Sequence, residues 1–256
     1  MRPRNALGAV DEAAGRTVLL SIGMSNPTQK FSAFKQLADR DPEKHPRLVI
    51  VDGAQGGATA SAIVQNGASY WAEVDRRLAA AGVTAAQVQA AWLKEALAGP
   101  KLPFPGDAQE LLGWLKPLVQ GLRARFPNLT LLYVSSRIYA GYASSALNPE
   151  PYAYQGGFSV KWLIESQIRQ GTTGAPDARA GDLRPGIAAP WLAWGPYLWA
   201  DGATPRADGL VWLPADFQSD FTHPNTSARQ KVGAMLLAFM KSSPQASCWF
   251  LAGPGC

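Results

Sequence analysis

Residues Thr17-Val-Leu-Leu-Ser-Ile22, followed by Gly23-Met-Ser-Asn-Pro27, form the stretch that decides the fold. The first six residues are almost continuously apolar, which is typical of a strand buried on both faces of a parallel sheet. Pro27 fits the first turn of a helix, and either Ser25 or Asn26 can cap that turn. We therefore predict a buried strand that passes through a short turn into a helix.

The same alternation of apolar runs and helical periodicity continues along the chain. Further strands are predicted at 47–51, 88–93, 129–134 and 188–194. Helices are predicted at 28–39, 70–81, 108–126, 157–170 and 226–240. Repeated strand–helix units predict an α/β fold, a three-layer α/β/α sandwich around a five-stranded parallel sheet of the flavodoxin-like kind. The segments 171–187 and 195–222 are rich in Gly, Pro and Asp and are predicted to be loops beside a site.

Length and charge restrict the classes of function. The 256 residues, 47% of them apolar, suit a single domain over 1–256, with an N-terminal extension at 1–16 and a C-terminal tail at 241–256. The net charge is +5, but no basic run is longer than the pair Arg76-Arg77, so we expect no nucleic-acid partner. No run of about 18 apolar residues is present, so no membrane partner is expected. The oligomeric state is not predicted.

Two cysteines near the C-terminus bear on the compartment. Cys248 and Cys256 enclose seven residues that include two glycines and a proline, which suits a small loop closed by a disulfide. A disulfide would indicate an oxidising compartment, that is, a secreted or periplasmic protein. The alternative is a pair of unpaired thiols. Residues 1–16 lack the apolar core of a signal peptide.

Only two histidines are available for acid–base chemistry. His223 stands in Asp220-Phe-Thr-His-Pro-Asn225, three residues after a carboxylate, whereas His45 lies in a charged segment and is predicted to be a solvated loop residue. A serine hydroxyl becomes a nucleophile when an imidazole accepts its proton, and Ser25 at a strand end suits that role. Its alternative role is a helix cap. With two histidines, no metal site is expected.

A glycine-rich turn, Gly53-Ala-Gln-Gly-Gly57, follows the second predicted strand. Glycines let backbone N–H groups approach a substrate oxygen, as an oxyanion requires, although a tight turn alone also explains them. The spacing matches neither the phosphate loop nor the dinucleotide fingerprint, so no cofactor is expected.

Three short blocks resemble the SGNH, or GDSL-type, hydrolases. They are Gly23-x-Ser25-Asn26, Gly56-Gly57-x-Thr59 and Asp220-x-x-His223-Pro224, and together they cover nearly the whole chain. The resemblance implies that Ser25 is the nucleophile and that Asp220 and His223 are the acid and base of the triad. It also implies that the backbone N–H groups of Ser25 and Gly57 bind the oxyanion. The first block departs from Gly-Asp-Ser because Met24 stands in its middle.

The family has a further block, between the second and the last of these, and this chain differs most from the family there. The asparagine of that block, which donates to the oxyanion, is absent from Trp92-Leu-Lys-Glu-Ala96. Lys94 is predicted to replace it as a cationic donor, and the alternative is a structural ion pair of Lys94 with Glu95 or another carboxylate. Arg137 is a second candidate cation at the rim, with a solvated or salt-bridged arginine as its alternative.

Aromatic residues after the fifth predicted strand suggest the kind of substrate. Trp194, Tyr197 and Trp199 are predicted to bind a sugar ring or an aryl group, and the alternative is core packing. The resulting hypothesis is a serine esterase that hydrolyses a carboxylic ester, for instance an acetyl ester of a carbohydrate, through an acyl-Ser25 intermediate. Its substrate partner would be a small molecule or a glycan ester. The rival hypothesis is a non-catalytic glycan-binding module on an SGNH-like scaffold.

Overall fold

The computed structural model describes residues 1–177 and 181–253. Within them, one parallel sheet has the order β2-β1-β3-β4-β5. Its strands are β1 (Thr17–Gly23), β2 (Leu48–Asp52), β3 (Val88–Lys94), β4 (Leu131–Val134) and β5 (Trp191–Trp194). This strand order is that of flavodoxin-like folds, so the predicted fold class is confirmed.

Helices cover both faces of the sheet. They are α1 (Ser25–Ala38), α2 (Ala60–Asn66), α3 (Ala68–Ala80), α4 (Gly106–Arg125), α5 (Tyr152–Thr173), α6 (Thr226–Ser242) and α7 (Ser247–Phe250). Helices α1, α6 and α7 pack on one face, and α2 to α5 pack on the other. The result is the three-layer sandwich that the alternation of apolar runs and helical segments predicted.

The alternation of side chains along β1 builds both halves of the core. Val18, Leu20 and Ile22 enter the cluster under α2 to α5, whereas Leu19 enters the cluster under α1 and α6. All four are fully buried. Successive side chains of a strand point to opposite faces, so an unbroken apolar run is what a central strand requires. Truncation of Leu20 to alanine would cost about 2 to 5 kcal/mol of stability.

Several boundaries differ from the predicted ones for local reasons. Strand β5 starts at Trp191 rather than at residue 188, because a turn in which Ala188 and Ala189 donate to the Arg184 carbonyl precedes it. Helix α2 was not predicted; it is a short helix whose N-cap Thr59 accepts from the Ala62 N–H. Helix α5 begins at Tyr152 instead of 157, and its end includes residues 171–173 of a predicted loop.

The segment after α6 packs against the body of the domain. Trp249 and Phe250 of α7 are buried in the cluster under α1 and α6. The Phe250 carbonyl accepts a hydrogen bond from the His45 N–H at 2.7 Å. Residues up to 253 are therefore anchored beside the start of β2.

The topology decides where a site can form. From β1 the chain moves outward to β2 and then returns to the other side of β1 to form β3, so the strand order reverses between β1 and β3. Ligands of open parallel sheets bind outside the carboxyl ends of the strands at such a point. Ser25 follows β1 there, and Lys94 ends β3 there.

Candidate active site

Ser25 is the first residue of α1, directly after β1. The N-cap residue is Met24, and no side chain caps this helix, so the capping role considered for Ser25 is not what its hydroxyl does. The Ser25 Oγ instead lies 2.9 Å from the Nε2 atom of His223. Because the N-terminal end of a helix carries a positive potential, it favours negative charge that develops at this position.

The second half of the constellation lies in the loop before α6. The Nδ1 atom of His223 is 2.5 Å from Asp220 Oδ2, and Asp220 Oδ1 accepts the N–H groups of Thr222 and His223, both at 3.0 Å. Burial raises the pKa of the Asp220 carboxyl, but these hydrogen bonds outweigh it and hold that pKa below its usual value. The carboxylate is thus the favoured form, and it fixes which nitrogen of the ring faces Ser25.

Contacts from two other elements hold this loop. The Thr222 carbonyl accepts from Asn26 Nδ2 at 3.3 Å and from an Nη atom of Arg137 at 3.4 Å. Ser144 Oγ donates to the Asp220 carbonyl at 3.2 Å. Phe221 has φ of 50°, which is unusual for a residue with a side chain, so the loop needs such support. Asn26 directly follows the nucleophile, and its contact links both halves of the site.

The glycine-rich turn lies beside Ser25. The Gln55 N–H donates to the Gly23 carbonyl at 2.8 Å, and a Cβ atom built on Gly56 would lie 3.9 Å from the Cβ of Ser25. Gly57 has φ of +76°, a backbone conformation that favours glycine, and its side-chain position faces open space. The turn is therefore positioned for its N–H groups to approach a substrate at Ser25, while the particular role of Gly57 stays a prediction.

Asp52 anchors the start of that turn. It accepts hydrogen bonds from the hydroxyl groups of Ser21 at 2.5 Å and Ser32 at 2.8 Å, and from Thr28 at 2.5 Å. Ser21 belongs to β1, and the other two donors belong to α1. One carboxylate thus fixes the glycine turn relative to the strand and helix that carry the nucleophile.

Lys94 ends β3 directly opposite Gly23. Gly23 has φ of +140°, and a Cβ atom there would lie 2.3 Å from the Lys94 carbonyl oxygen, so this close approach of two strand ends requires glycine. Lys94 is 2% exposed, and no carboxylate of the described residues lies within 4 Å of its amine. The alternative of an ion pair with Glu95 is therefore wrong.

Burial controls the charge at this end of the sheet. Burial, together with the positive charge of Arg137, lowers the pKa of Lys94 to about 7. Burial also lowers the pKa of Arg137 to about 10, an effect that the charges of Glu150 and Asp220 only partly offset. Burial raises the pKa of Glu95 well above its usual range, so its uncharged form is favoured. Arg137 is buried and has no ion-pair partner among the described residues, contrary to the solvated or salt-bridged alternative.

Of the three aromatic residues predicted to bind substrate, two line a groove and one does not. Trp194 and Tyr197 face a groove of about 210 Å³ that Tyr154, Phe158 and Lys161 complete. Trp199 is half-buried, and its indole N–H donates to Glu150 at 2.8 Å. The groove lies beside β5, three strand spacings from β1 and hence about 14 Å to the side.

A larger cleft, of about 390 Å³, begins next to the glycine turn. Its walls are the start of α2 from Thr59 and the loop from Ala96 to Leu102, with Trp114 of α4 at its side. One wall begins at Thr59, two residues after Gly57, and the other begins at Ala96, two residues after Lys94. The cleft is therefore built from the segments that directly follow the glycine turn and β3.

The remaining predicted residues lie elsewhere or outside the described chain. His45 is half-buried before β2, at the opposite end of the sheet, and its Nδ1 accepts from the Arg47 N–H. The predicted disulfide of Cys248 involves Cys256, which lies outside the described residues.

Among residues 1–177 and 181–253, no helix is long and apolar enough to cross a bilayer. In the same part of the chain, no three His, Cys, Asp or Glu side chains come together to hold a metal.

The sequence interpretation missed Lys30 of α1. Its amine is fully buried, with no hydrogen-bond partner among the described residues, and Lys94 and Arg137 act on it electrostatically. It stands four residues after Asn26, on the helix face that also buries Phe31 and Phe34. A lysine on an otherwise apolar helix face was the available signal.

Comparisons with known proteins find similar chains among solved structures. No protein-family model and no curated protein sequence matches this chain. Among solved structures, the protein YxiM from Bacillus subtilis aligns over 93% of this chain at 10% identity with a TM-score of 0.46, and this chain covers 60% of that protein. A putative SGNH hydrolase from Slackia heliotrinireducens aligns over 88% of this chain and 100% of its own, at 13% identity with a TM-score of 0.43.

A carbohydrate esterase family 3 protein from Talaromyces cellulolyticus aligns over 87% of this chain and 95% of its own, at 13% identity with a TM-score of 0.47. At these identities the likeness concerns the fold alone. A putative SGNH hydrolase and a carbohydrate esterase are thus among the solved structures that resemble this chain.

Proposed function

We propose that the protein is a serine esterase that hydrolyses a carboxylic ester through an acyl-Ser25 intermediate. The observation that carries this proposal is the chain of contacts from Ser25 Oγ to His223 Nε2, at 2.9 Å, and from His223 Nδ1 to Asp220, at 2.5 Å. Both distances lie within the reach of proton transfer. The three groups come from the two ends of the chain, 195 to 198 residues apart, so local sequence alone does not explain their meeting.

The chemistry follows from these positions. His223 accepts the Ser25 proton as Oγ attacks the carbonyl carbon, and it then donates that proton to the departing alcohol. Water, activated by the same imidazole, hydrolyses the acyl-Ser25 ester and releases the acid. Asp220 keeps the imidazole in the tautomer that this sequence of steps needs.

The developing oxyanion needs donors that are in place before the reaction. We assign this role to the backbone N–H groups of Ser25 and Gly57, and to the ammonium group of Lys94 in place of the missing asparagine. In support, the glycine turn is fixed against Ser25 by Gln55 and Asp52, and Lys94 ends the strand that adjoins Gly23. One donor of such a hole contributes about 2.7 to 4 kcal/mol of transition-state stabilisation.

We further propose that the ester belongs to a carbohydrate. The groove lined by Trp194 and Tyr197 offers aromatic faces to a sugar ring about 14 Å from the nucleophile strand, which suits an oligosaccharide that reaches both places. Hydrolysis of an acetylated xylo-oligosaccharide, followed by the release of acetate, tests this substrate class. Rapid cleavage of simple aryl esters without any acetate release from acetylated glycans would contradict it.

The catalytic assignment is tested with 4-nitrophenyl acetate. Ser25→Ala and His223→Ala should each reduce kcat by about 10⁴-fold or more while the circular dichroism spectrum is unchanged. Ser242→Ala and His45→Ala are the matched controls, because both residues lie away from the strand ends that carry Ser25, and both should keep normal turnover. Full activity in a folded Ser25→Ala protein would contradict the mechanism. Saturable glycan binding by a wild-type protein without turnover would instead favour the binding-module hypothesis.

A secreted or periplasmic location, with a Cys248–Cys256 disulfide, remains part of the proposal. Counting thiols in the denatured protein with and without reductant tests it. Two thiols without reductant would contradict it.

A further inference from the structure

Three buried basic side chains lie together at the carboxyl ends of β1, β3 and β4. Lys30, Lys94 and Arg137, which we call the cation cluster, are 0%, 2% and 5% exposed. No carboxylate of the described residues lies within 4 Å of any of them, although many lysine and arginine side chains elsewhere in that part of the chain have such partners. Burial lowers the pKa of all three groups, so it disfavours their charged forms unless an anion lies beside them.

The cluster adjoins the catalytic groups on three sides. Lys30 is one helical turn after Asn26, which contacts the Thr222 carbonyl. Lys94 is opposite Gly23 in the sheet. Arg137 donates to the same Thr222 carbonyl, next to His223, and its Nε atom is buried without a hydrogen-bond partner among the described residues.

The neighbouring carboxyl groups form no ion pair with the cluster among the described residues, although Glu95 acts electrostatically on Lys94, and Glu150 and Asp220 act on Arg137. Asp220 is engaged by His223 and by two backbone N–H groups. Glu150 accepts from the Trp199 indole and from the Ala140 N–H. Glu95 is buried, and that burial raises its pKa, so its uncharged form is favoured. Deprotonation of Lys30 and Lys94 relieves the cost of their burial while no anion is bound, and an anion beside the cluster would favour the charged forms of both.

The oxyanion of the ester reaction provides one negative charge, and only during turnover. Three buried basic side chains, each able to carry a positive charge beside an anion, exceed what that single transient charge requires. We propose that the preferred substrate is an ester that carries a carboxylate group, and that the cation cluster binds this carboxylate next to Ser25. The inference rests on the proposed esterase function and extends it from a reaction type to a class of substrate.

The principal test compares matched ester pairs. On the acyl side, the pair is mono(4-nitrophenyl) succinate and its methyl ester; on the alcohol side, it is 4-acetoxybenzoate and its methyl ester. Each kcat/KM is obtained after the rate of spontaneous hydrolysis of the same compound has been subtracted from the observed rate. We expect the anionic member of one pair to be favoured by about 10-fold or more, because hydrogen bonds to a charged group contribute about 1.5 to 3 kcal/mol. The favoured pair identifies the side of the ester that carries the carboxylate.

Variants assign the preference to the cluster. Arg137→Met and Lys30→Met should each lower the ratio of anionic to neutral kcat/KM by about 10-fold, because each removes a charge that favours the anion. The ratio within one variant cancels any general loss of activity that a shifted Thr222 carbonyl causes. Lys35→Met, on the exposed face of the same helix, is the control and should leave the ratio unchanged.

A second measurement uses the wild-type protein alone. Glutarate should inhibit hydrolysis of 4-nitrophenyl acetate competitively, and its inhibition constant should rise about 10-fold per pH unit above pH 7, because the anion binds with uptake of a proton by Lys94. Glutaramide, the neutral analogue, should inhibit weakly at every pH. Lys30, Arg137 and Glu95 interact electrostatically with Lys94. Glu150 and Asp220 act on Arg137, and His223 contacts Asp220. Lys94→Arg identifies the group responsible, because it should remove the pH dependence.

Ratios of one or less in both ester pairs, or equal inhibition by glutarate and glutaramide, would overturn the proposal. Either result would leave the esterase function intact if the neutral esters are hydrolysed through Ser25. Failure to hydrolyse any of the four esters, with no covalent labelling of Ser25, would instead contradict the esterase function itself.

Discussion

Charged residues are arranged differently at the two ends of the parallel sheet. Beside the start of β2, Lys241 pairs with Asp41 at 2.8 Å and with Glu43, and Lys44 lies 3.4 Å from Asp39. These groups are partly exposed and have partners. At the opposite end, the cation cluster is buried and has no carboxylate partner within 4 Å among the described residues.

This difference distinguishes surface charges that have partners from buried basic side chains that lie at the site. Exposed ion pairs add little stability and cost little, whereas each buried cation without a partner costs several kcal/mol. Because lysines beside the start of β2 have carboxylate partners, the lack of such partners at the opposite end of the sheet needs an explanation. We infer that these buried basic side chains, which have no ion-pair partner among the described residues, serve what binds beside Ser25.

The largest expected effect concerns the triad. Asp220→Asn should lower kcat for 4-nitrophenyl acetate by about 10⁴-fold, because the neutral amide no longer selects the imidazole tautomer that accepts the Ser25 proton. Asp208→Asn, in an exposed pair with Arg206, is the matched carboxylate control and should keep normal turnover. A loss of less than 10-fold in Asp220→Asn would show that the carboxylate does not orient His223.

The next effect concerns Lys94 as an oxyanion donor. Lys94→Met should lower kcat by about 10²- to 10³-fold, the usual result of removing one donor. In the wild type, kcat should decline as pH rises through about 7, because burial and Arg137 lower the pKa of Lys94 to about 7 and only the ammonium form carries the charge. Lys94→Arg, which stays charged, should lose this decline in the pH profile. An unchanged profile in Lys94→Arg would rule out Lys94 as its cause.

The smallest expected effect is a gain in stability, whereas the two preceding effects are losses of activity. Lys30→Met should raise the free energy of unfolding by about 1 to 4 kcal/mol, because an apolar side chain of similar length replaces a buried charge. Lys241→Met, at the other end of the sheet, should produce no such gain, since it removes a paired surface charge. Urea titration of both variants gives the comparison. Destabilisation by Lys30→Met would mean that Lys30 has a structural partner and that the cluster is not a strained site.

The pH dependence of stability also tests whether the lysines beside Ser25 are buried without compensating charges. Burial lowers the pKa values of Lys30 and Lys94, so between about pH 7 and pH 10 the folded protein binds fewer protons than the unfolded chain. Its stability should therefore rise with pH across that window. Lys94→Met should flatten the rise. A stability that falls with pH in this range would contradict the burial of uncompensated lysines.

The fold was predictable because its signals are local and repeated. Continuous apolar runs such as 17–22 alternate with helical periodicity, and right-handed connections then leave few topologies. Ser25 and His223 were predictable because a strand-end serine and one of two histidines offer few alternatives. Helix α2 escaped notice because its seven residues are too short to show a period.

The contacts that depend on tertiary packing were not accessible from the residues alone. The sequence does not show that Trp199 donates to Glu150 whereas Trp194 faces a groove, since both are tryptophans near one strand end. A charge on a helix face, as at Lys30, does not reveal whether a carboxylate from another element will meet it. The absence of such a partner became apparent only once the strand ends were assembled.

Covalent labelling of the nucleophile tests the central claim most directly. A fluorophosphonate probe should modify Ser25 in the wild-type protein, as mapped by mass spectrometry, and labelling should fall by at least about 10²-fold in a folded His223→Ala variant because the imidazole no longer removes the hydroxyl proton. Labelling of a different serine, or equal labelling of Ser25 in both proteins, would contradict the account.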